Sequence, residues 1–242
     1  MDHRGLGAGG IVIRSGQSRE LAAKELLLLD FDGPVCSVFA GYPAPDIAQE
    51  LVAFTEGFAP DLAKQLGGET DPMQVLSTAA MTLPRQRVIE LDERLRRAEV
   101  LAVETATLTS GASELINAAY GRGLSVGIVS NNSEPSITKY LKRNGLDSMV
   151  ARVLGRPFAH PESMKPKPFL LEQALASFKT TAAKACFVGD SVTDIEAGKA
   201  AAIMTIGLAN KAGKRQRLAA VGAEILVDEL WELPWLIDAQ ES

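Results

Sequence analysis

Hydrophobic positions along the chain fall into two patterns. One is short and continuous: Leu26-Leu27-Leu28-Leu29 has four apolar residues with no alternation. A run of that length suits a strand buried on both faces, hence a parallel sheet covered by helices. Runs of the same kind span Leu124 to Val129, Met149 to Leu154, Ala185 to Val188, Ile203 to Ile206 and Ile225 to Val227. The other pattern is helical. It covers Ser113 to Ala119, Pro168 to Phe178 and Asp194 to Ala202, each lying just before an apolar run. Pro168 suits a first helical turn, where its missing N–H is not needed. Strands alternating with short helices predict a doubly wound α/β core.

Between residues 36 and about 108 the pattern changes. Helix-period segments run from Asp46 to Glu56, Pro60 to Leu66 and Arg85 to Ala102, with no convincing strand. A helical block placed after the first strand of such a sheet predicts a lid or cap. The expected division is therefore a loose arm over 1–24, an α/β core over 25–40 and 106–242, and a small all-helical cap over 41–105. The arm is rich in Gly, Ser and Arg. No internal repeat interrupts this scheme.

Composition narrows the functional classes. Twenty-five basic against 30 acidic residues leave a formal charge of −5, which argues against a nucleic-acid binder relying on phosphate neutralisation. No apolar run approaches the roughly 18 residues needed to cross a bilayer, and no apolar leader opens the chain. Cys36 and Cys186 have neither metal-ligand nor disulfide-framework spacing, which fits a reducing compartment. The expectation is a cytoplasmic protein with no membrane or nucleic-acid partner. Oligomeric state is not legible.

Ligands of open parallel sheets bind beyond the carboxyl ends of the strands. Asp30-Phe31-Asp32-Gly33 follows the first run, and Ser130-Asn131-Asn132 follows the second. Gly189-Asp190-Ser191-Val192-Thr193-Asp194 follows Ala185 to Val188, and Lys165-Pro166-Lys167-Pro168 precedes a helix. Four carboxylates converging on one edge repel one another and call for a cation. With oxygen donors alone the natural ion is Mg²⁺. Mg²⁺ beside Lys and Ser makes a site for a phosphoryl group. In a straight strand Asp30 and Asp32 would lie about 6.6 Å apart on one face and address one substrate together.

These four clusters, in this order, resemble motifs I to IV of the haloacid dehalogenase (HAD) superfamily, from about Leu26 to about Leu233. The helical block matches the position of that family's cap. The resemblance implies a Rossmann-like core and a Mg²⁺-dependent phosphatase acting on a small phosphorylated metabolite. Asp30 would be the nucleophile and form an aspartyl-phosphate, and Asp32 the general acid and base. Ser130 and the Asn131 N–H would bind the phosphoryl oxygens, and Lys165 would neutralise their charge, with Lys167 as the decoy. Asp30, Asp190, the Asp32 carbonyl and Asp194, directly or through water, would hold the metal. One departure stands at Pro34, where the family usually has Thr; proline lacks both the hydroxyl and the N–H.

Alternatives remain at this level. A phosphomutase or phosphotransferase on a sugar phosphate would keep every motif, as would an idle scaffold used for binding. The second aspartate, Asp32, argues against the family's dehalogenases. A phosphonatase would need a lysine from the cap, where only Lys64 is present. A signalling receiver would carry its acidic pair and phosphoacceptor in the other order. The sequence Gly5-x-Gly7-x-x-Gly10 has no strand before it and so lacks the context of a dinucleotide fingerprint. Lys211, Lys214, Arg215 and Arg217 read as a solvated face, and His3 and His160 as isolated. Cys36 reads as a small buried hydrophobe near the first motif. Arg85, Arg87, Arg94, Arg96 and Arg97 would suit either an anionic substrate or a solvated helix. Ser191-x-x-Asp194 also reads as a capping box, and Asn132 or Ser133 as an N-cap before Pro135.

Overall fold

A computed structural model describes residues 17–233; residues 1–16, with most of the expected arm and the Gly5–Gly10 pattern, lie outside it. In chain order the elements are α1 (Gln17–Ala22), β1 (Leu26–Leu29), β2 (Cys36–Ser37), α2 (Ala44–Glu56), α3 (Pro60–Leu66), α4 (Pro72–Thr82) and α5 (Arg85–Ala102). They continue with β3 (Thr107–Leu108), α6 (Ala112–Gly121), β4 (Ser125–Val129), α7 (Glu134–Arg143) and β5 (Arg152–Leu154). The last are α8 (Phe169–Phe178), β6 (Ala185–Gly189), α9 (Val192–Ala200), β7 (Met204–Leu208), α10 (Lys214–Ala220) and β8 (Ile225–Val227).

Six parallel strands form one sheet in the order β5-β4-β1-β6-β7-β8. Numbered within the sheet alone, that order is 3-2-1-4-5-6, the doubly wound arrangement, and its direction reverses beside β1. All four leucines of β1 are buried, as are all five residues of β6 and of β7. Leu27 and Leu29 pack on one side of the sheet, Leu26 and Leu28 on the other. Truncating any one to alanine would cost about 2–5 kcal/mol. The α/β expectation is met.

The strands are shorter than some of the apolar runs. Met149 to Ala151 stay outside β5, whose register with β4 covers Arg152 to Leu154, although the Ala151 N–H still donates to the Val126 carbonyl of β4 at 2.8 Å. The end of the expected arm is helical: α1 buries Leu21, and Lys24 donates to the Ala183 carbonyl.

Helices α2 to α5 share an apolar core of their own, including Ile47, Leu51, Leu66, Val75, Leu76, Leu91 and Leu95. Helix α4 is absent from the helical pattern above, yet Asp71 and Pro72 carried its start signal: Asp71 Oδ1 accepts from the Met73 N–H at 2.8 Å. The block joins the sheet through the antiparallel ribbon of β2 with β3. Among the described residues no helix is long and apolar enough to cross a membrane.

Candidate active site

Strands β4, β1 and β6 are neighbours at the centre of the sheet, so Ser130, Asp30 and Asp190 emerge side by side. The β1 ladder runs one residue past the strand, since the Asp30 N–H donates to the Val188 carbonyl at 2.9 Å. The chain then turns. Phe31 N–H donates to Asp30 Oδ1 at 2.7 Å, and the Val35 and Cys36 amides return to the Phe31 carbonyl. The straight-strand spacing expected for Asp30 and Asp32 is therefore not what is found. Asp32 lies beyond the turn, where its Oδ1 accepts from the Val38 N–H at 2.9 Å. Both residues still line one cavity of about 300 Å³.

Gly33 makes that turn possible. Its φ is 109°, and a Cβ there would lie 2.3 Å from the Asp190 carboxyl carbon. Pro34 is buried in the turn, whose hydrogen bonds come from its neighbours. The Thr109 hydroxyl, from the returning segment, donates to the Gly33 carbonyl at 2.5 Å.

Lys165 is buried, with its ammonium 2.8 Å from Asp30 Oδ1 and 2.5 Å from Asp194 Oδ1. These two carboxylates hold its pKa above the usual lysine range against the opposing effect of burial. Asn131 fixes the lysine backbone: Lys165 N–H donates to Asn131 Oδ1 at 2.9 Å, and Asn131 Nδ2 donates to the Lys165 carbonyl at 3.2 Å. The Ser130 hydroxyl is buried and donates to Asn132 Oδ1 at 3.2 Å. Lys167 is exposed and lines an adjoining cavity rather than this one.

Asp194 sits in the capping box of α9. Its Oδ2 accepts from the Asp190 and Ser191 amides and from the Ser191 hydroxyl. Ser133, by contrast, does not cap α7 with its side chain; its hydroxyl donates to Ser136 Oγ at 3.2 Å. Both Asp194 oxygens are thus engaged within the chain, whereas the Asp190 carboxylate accepts, among the described residues, from the Lys214 ammonium alone. Lys214 had read as part of a solvated face. The left-handed turn at Gly213 instead starts α10 so that Lys214 meets Asp190.

Carboxylate oxygens of Asp30, Asp190 and Asp194 all lie within 4.8 Å of one another. Burial, and then the Asp194 charge, push Asp30 up to about 7. Burial pushes Asp32 up to about 6 and raises Asp190 as well, the latter partly offset by Lys214. When ionised, the aspartates that line this cavity outnumber the ammonium groups of Lys165 and Lys214 that pair with them. The donor set is all oxygen, so it fits a hard divalent cation.

The helical block contributes Ala44, Thr70, Asp71 and Met73 to the cavity wall. Neither Lys64 nor any of the five arginines singled out in the sequence lines it. Arg87 and Arg94 lie over Phe58 and Phe54, Arg97 pairs with Glu93, and Arg85 and Arg96 reach the segment after β5. Helical spacing could not distinguish these destinations. Cys36 is fully buried and does not line the cavity, and His160 meets Glu162 and Arg85 at the surface.

The family described as haloacid dehalogenase-like hydrolase matches residues 61–208. The chain belongs to that family. Among relatives, the pyrophosphatase PpaX of Listeria monocytogenes is 31% identical over 131 residues, which cover 54% of this chain and 59% of that protein. The chain therefore spans little more than half the length of that relative. A phosphoglycolate phosphatase of Synechococcus elongatus is 25% identical over 84% of this chain and 92% of its own. In fold, the chain is similar to CbbY of Rhodobacter sphaeroides in complex with phosphate, with a TM-score of 0.64 at 17% identity over 87% of this chain and 96% of that one. It is also similar to β-phosphoglucomutase of Clostridium difficile, with a TM-score of 0.66 at 15% identity over 87% and 93%.

Proposed function

We propose that the chain is a Mg²⁺-dependent phosphatase that removes phosphate from a small phosphomonoester through an aspartyl-phosphate on Asp30. The observation that carries this reading is the placement of Asp30. Its carboxylate lies against the Lys165 ammonium and within reach of Asp190 and Asp194, at the point where the sheet reverses direction. The relatives named as phosphatases agree with it.

Asp30, Asp190 and the Asp32 carbonyl would hold the metal, with Asp194 supporting it directly or through water. When bound, Mg²⁺ would supply positive charge to the phosphoryl oxygens and keep the carboxylates ionised. The chain's contacts to Asp30 fall on Oδ1, from Phe31 N–H and Lys165, which leaves Oδ2 to attack phosphorus. As that bond forms, the bond to the leaving oxygen breaks, and Asp32 passes it a proton. In the second step Asp32 takes a proton from water. The water oxygen attacks phosphorus, and the bond to Asp30 breaks to release inorganic phosphate. A raised Asp32 pKa suits both duties. Ser130 and the Asn131 N–H would bind the phosphoryl oxygens, with Lys165 balancing their charge.

Residues 41–105 would act as the cap over this core of 25–40 and 106–242, limiting water at the attack step. The substrate would be a small phosphorylated metabolite. Two buried free thiols, Cys36 and Cys186, suit a reducing cytoplasmic setting. The test is a panel of phosphomonoesters assayed with and without Mg²⁺, beside Asp30→Asn. The parent should turn over at least one ester only with the metal, and the variant should be inactive. Equal rates for the two proteins would refute the assignment.

A further inference from the structure

Five residues of the active-site cavity, Asp71, Met73, Asn131, Lys165 and Thr193, also line a second cavity of about 320 Å³. The two are lobes of one space that meet beside the site lysine. Asp30, Asp32 and Asp190 belong to the first lobe alone. The second lies between α4 and the segment from Pro161 to Lys167, so the helical block supplies one wall and the core the other. Gln74 and Ser77 stand three apart on α4 and share the face turned to this lobe. Val75, Leu76 and Ala79 point the other way, into the apolar core of the block.

The charges of the second lobe are unevenly engaged. The Lys165 ammonium is held by Asp30 and Asp194 at 2.8 and 2.5 Å. Glu162 Oε1 lies 2.6 Å from His160 Nδ1, and Asp71 Oδ1 accepts from the Met73 N–H at the start of α4. Lys167 is different. Among the described residues it is the lining charge that no hydrogen bond or ion pair engages, although it stands in the same loop as Lys165. The half-buried Ser77 hydroxyl is equally without a partner among them, whereas Gln74 Nε2 donates to Thr78 Oγ1 at 3.3 Å. An ammonium can only donate, so this lining lacks an acceptor, and an anionic one makes the stronger bond. The first lobe could not offer the same to a second anion. Its wall carries Asp30, Asp32, Asp190 and Asp194, and like charges repel.

We propose that the second lobe is a subsite for a second anionic group of the substrate, a carboxylate or phosphate carried on the alcohol that leaves, and that Lys167 selects for it. The inference rests on the phosphatase reading and narrows it to doubly anionic esters. The phosphoryl group would sit at the junction, against Lys165 and the Asn131 N–H, and the remainder of the molecule would extend beneath α4. Lys167 lines only the second lobe and so acts on the choice of substrate, not on the bonds that form and break at phosphorus.

The test compares two series of linear monophosphates of increasing chain length, assayed with Mg²⁺. One series ends in a carboxylate and the other in a hydroxyl; chains ending in a second phosphate, run beside them, tell which anion is taken. At one length or more the anionic ester should exceed its matching alcohol about tenfold in kcat/KM. Lys167→Gln should abolish that preference through KM, with kcat and the whole alcohol series kept within about twofold. Lys167→Arg should restore it. A parent with no preference for the anionic esters at any length, or a preference that survives in Lys167→Gln, would overturn the subsite. Failure to turn over any ester would refute the phosphatase reading, and calorimetric titration of the same esters would still read the lobe. Tighter binding of the anionic esters that Lys167→Gln removes would support the subsite; equal affinity for both series would overturn it.

Discussion

Asp194 Oδ1 lies 2.5 Å from the Lys165 ammonium, and both side chains are buried. The pair is also held from behind, since Asp194 Oδ2 takes the Ser191 hydroxyl at 2.6 Å and two loop amides. Asp194 therefore sets the position of the lysine that faces Asp30. Asp194→Asn should destabilise the fold by about 3–5 kcal/mol, the usual cost of leaving one partner of a buried ion pair uncompensated. Denaturant unfolding with the slope held constant measures this, and a change below about 1 kcal/mol would contradict the role.

As the proposed acid, Asp32 would have to be protonated to serve the leaving group, so turnover of an alkyl phosphate should fall as pH rises through about 6. A 4-nitrophenyl ester leaves without a proton and should escape that limb. With this ester Asp32→Asn should release a burst of nitrophenolate and then turn over slowly, since only the second step still needs a base. Equal losses on both esters with no burst would remove Asp32 from the acid role.

Without metal, stability should fall from about pH 4 to about pH 7. Asp30 and Asp32 have folded pKa values near 7 and 6 against an ordinary 3.8. An acid of this kind binds its proton more tightly when folded, so its stabilisation is complete below the unfolded value and lost as pH rises through the folded one. Mg²⁺ requires ionised ligands, so the gain in Tm on adding it should be larger at about pH 8 than at about pH 5. Thermal unfolding at both pH values, with and without the ion, tests the sign. A metal-free Tm that climbs over this range would refute it.

Lys214 meets Asp190 at the position a cation would contact. Lys214→Ala should tighten Mg²⁺ binding about tenfold, because the ion no longer displaces an ammonium. Calorimetric titration of the ion alone reads this directly. Weaker binding would instead make Lys214 part of the metal's support.

Gly33→Ala places a Cβ inside the Asp190 carboxylate at a φ of 109°. Loss of stability of about 1–3 kcal/mol is expected from the backbone strain alone. Metal binding should weaken with it, as Asp190 is pushed aside. A variant titrating with Mg²⁺ like the parent would show that the turn yields without cost.

The sheet was legible because strands buried on both faces must be apolar at every position, as in β1 and β6. Helix α4 was legible too, since its buried Pro72, Val75, Leu76 and Ala79 fall at helical spacing and Asp71-Pro72 announced its start, although the helical pattern above omits it. The arginines of α5 could not be assigned. A helix face reveals which side chains are neighbours along the helix, but not what lies opposite. Lys214 illustrates the same point, since its destination depends on a left-handed turn at Gly213 and on the return of the chain to the sheet edge.

The chain's own order of residues determined the doubly wound core, the acidic and basic clusters at its strand ends, and membership of the hydrolase family. Those features are local, set by periodicity and by which residues follow each apolar run. Only the tertiary structure decided that Asp194 meets Lys165, that Lys214 meets Asp190, and that Arg156 ties the helical block to the loop after β4. Each of these joins residues distant in sequence, and a buried charge takes its partner from whatever the packing brings within hydrogen-bond reach.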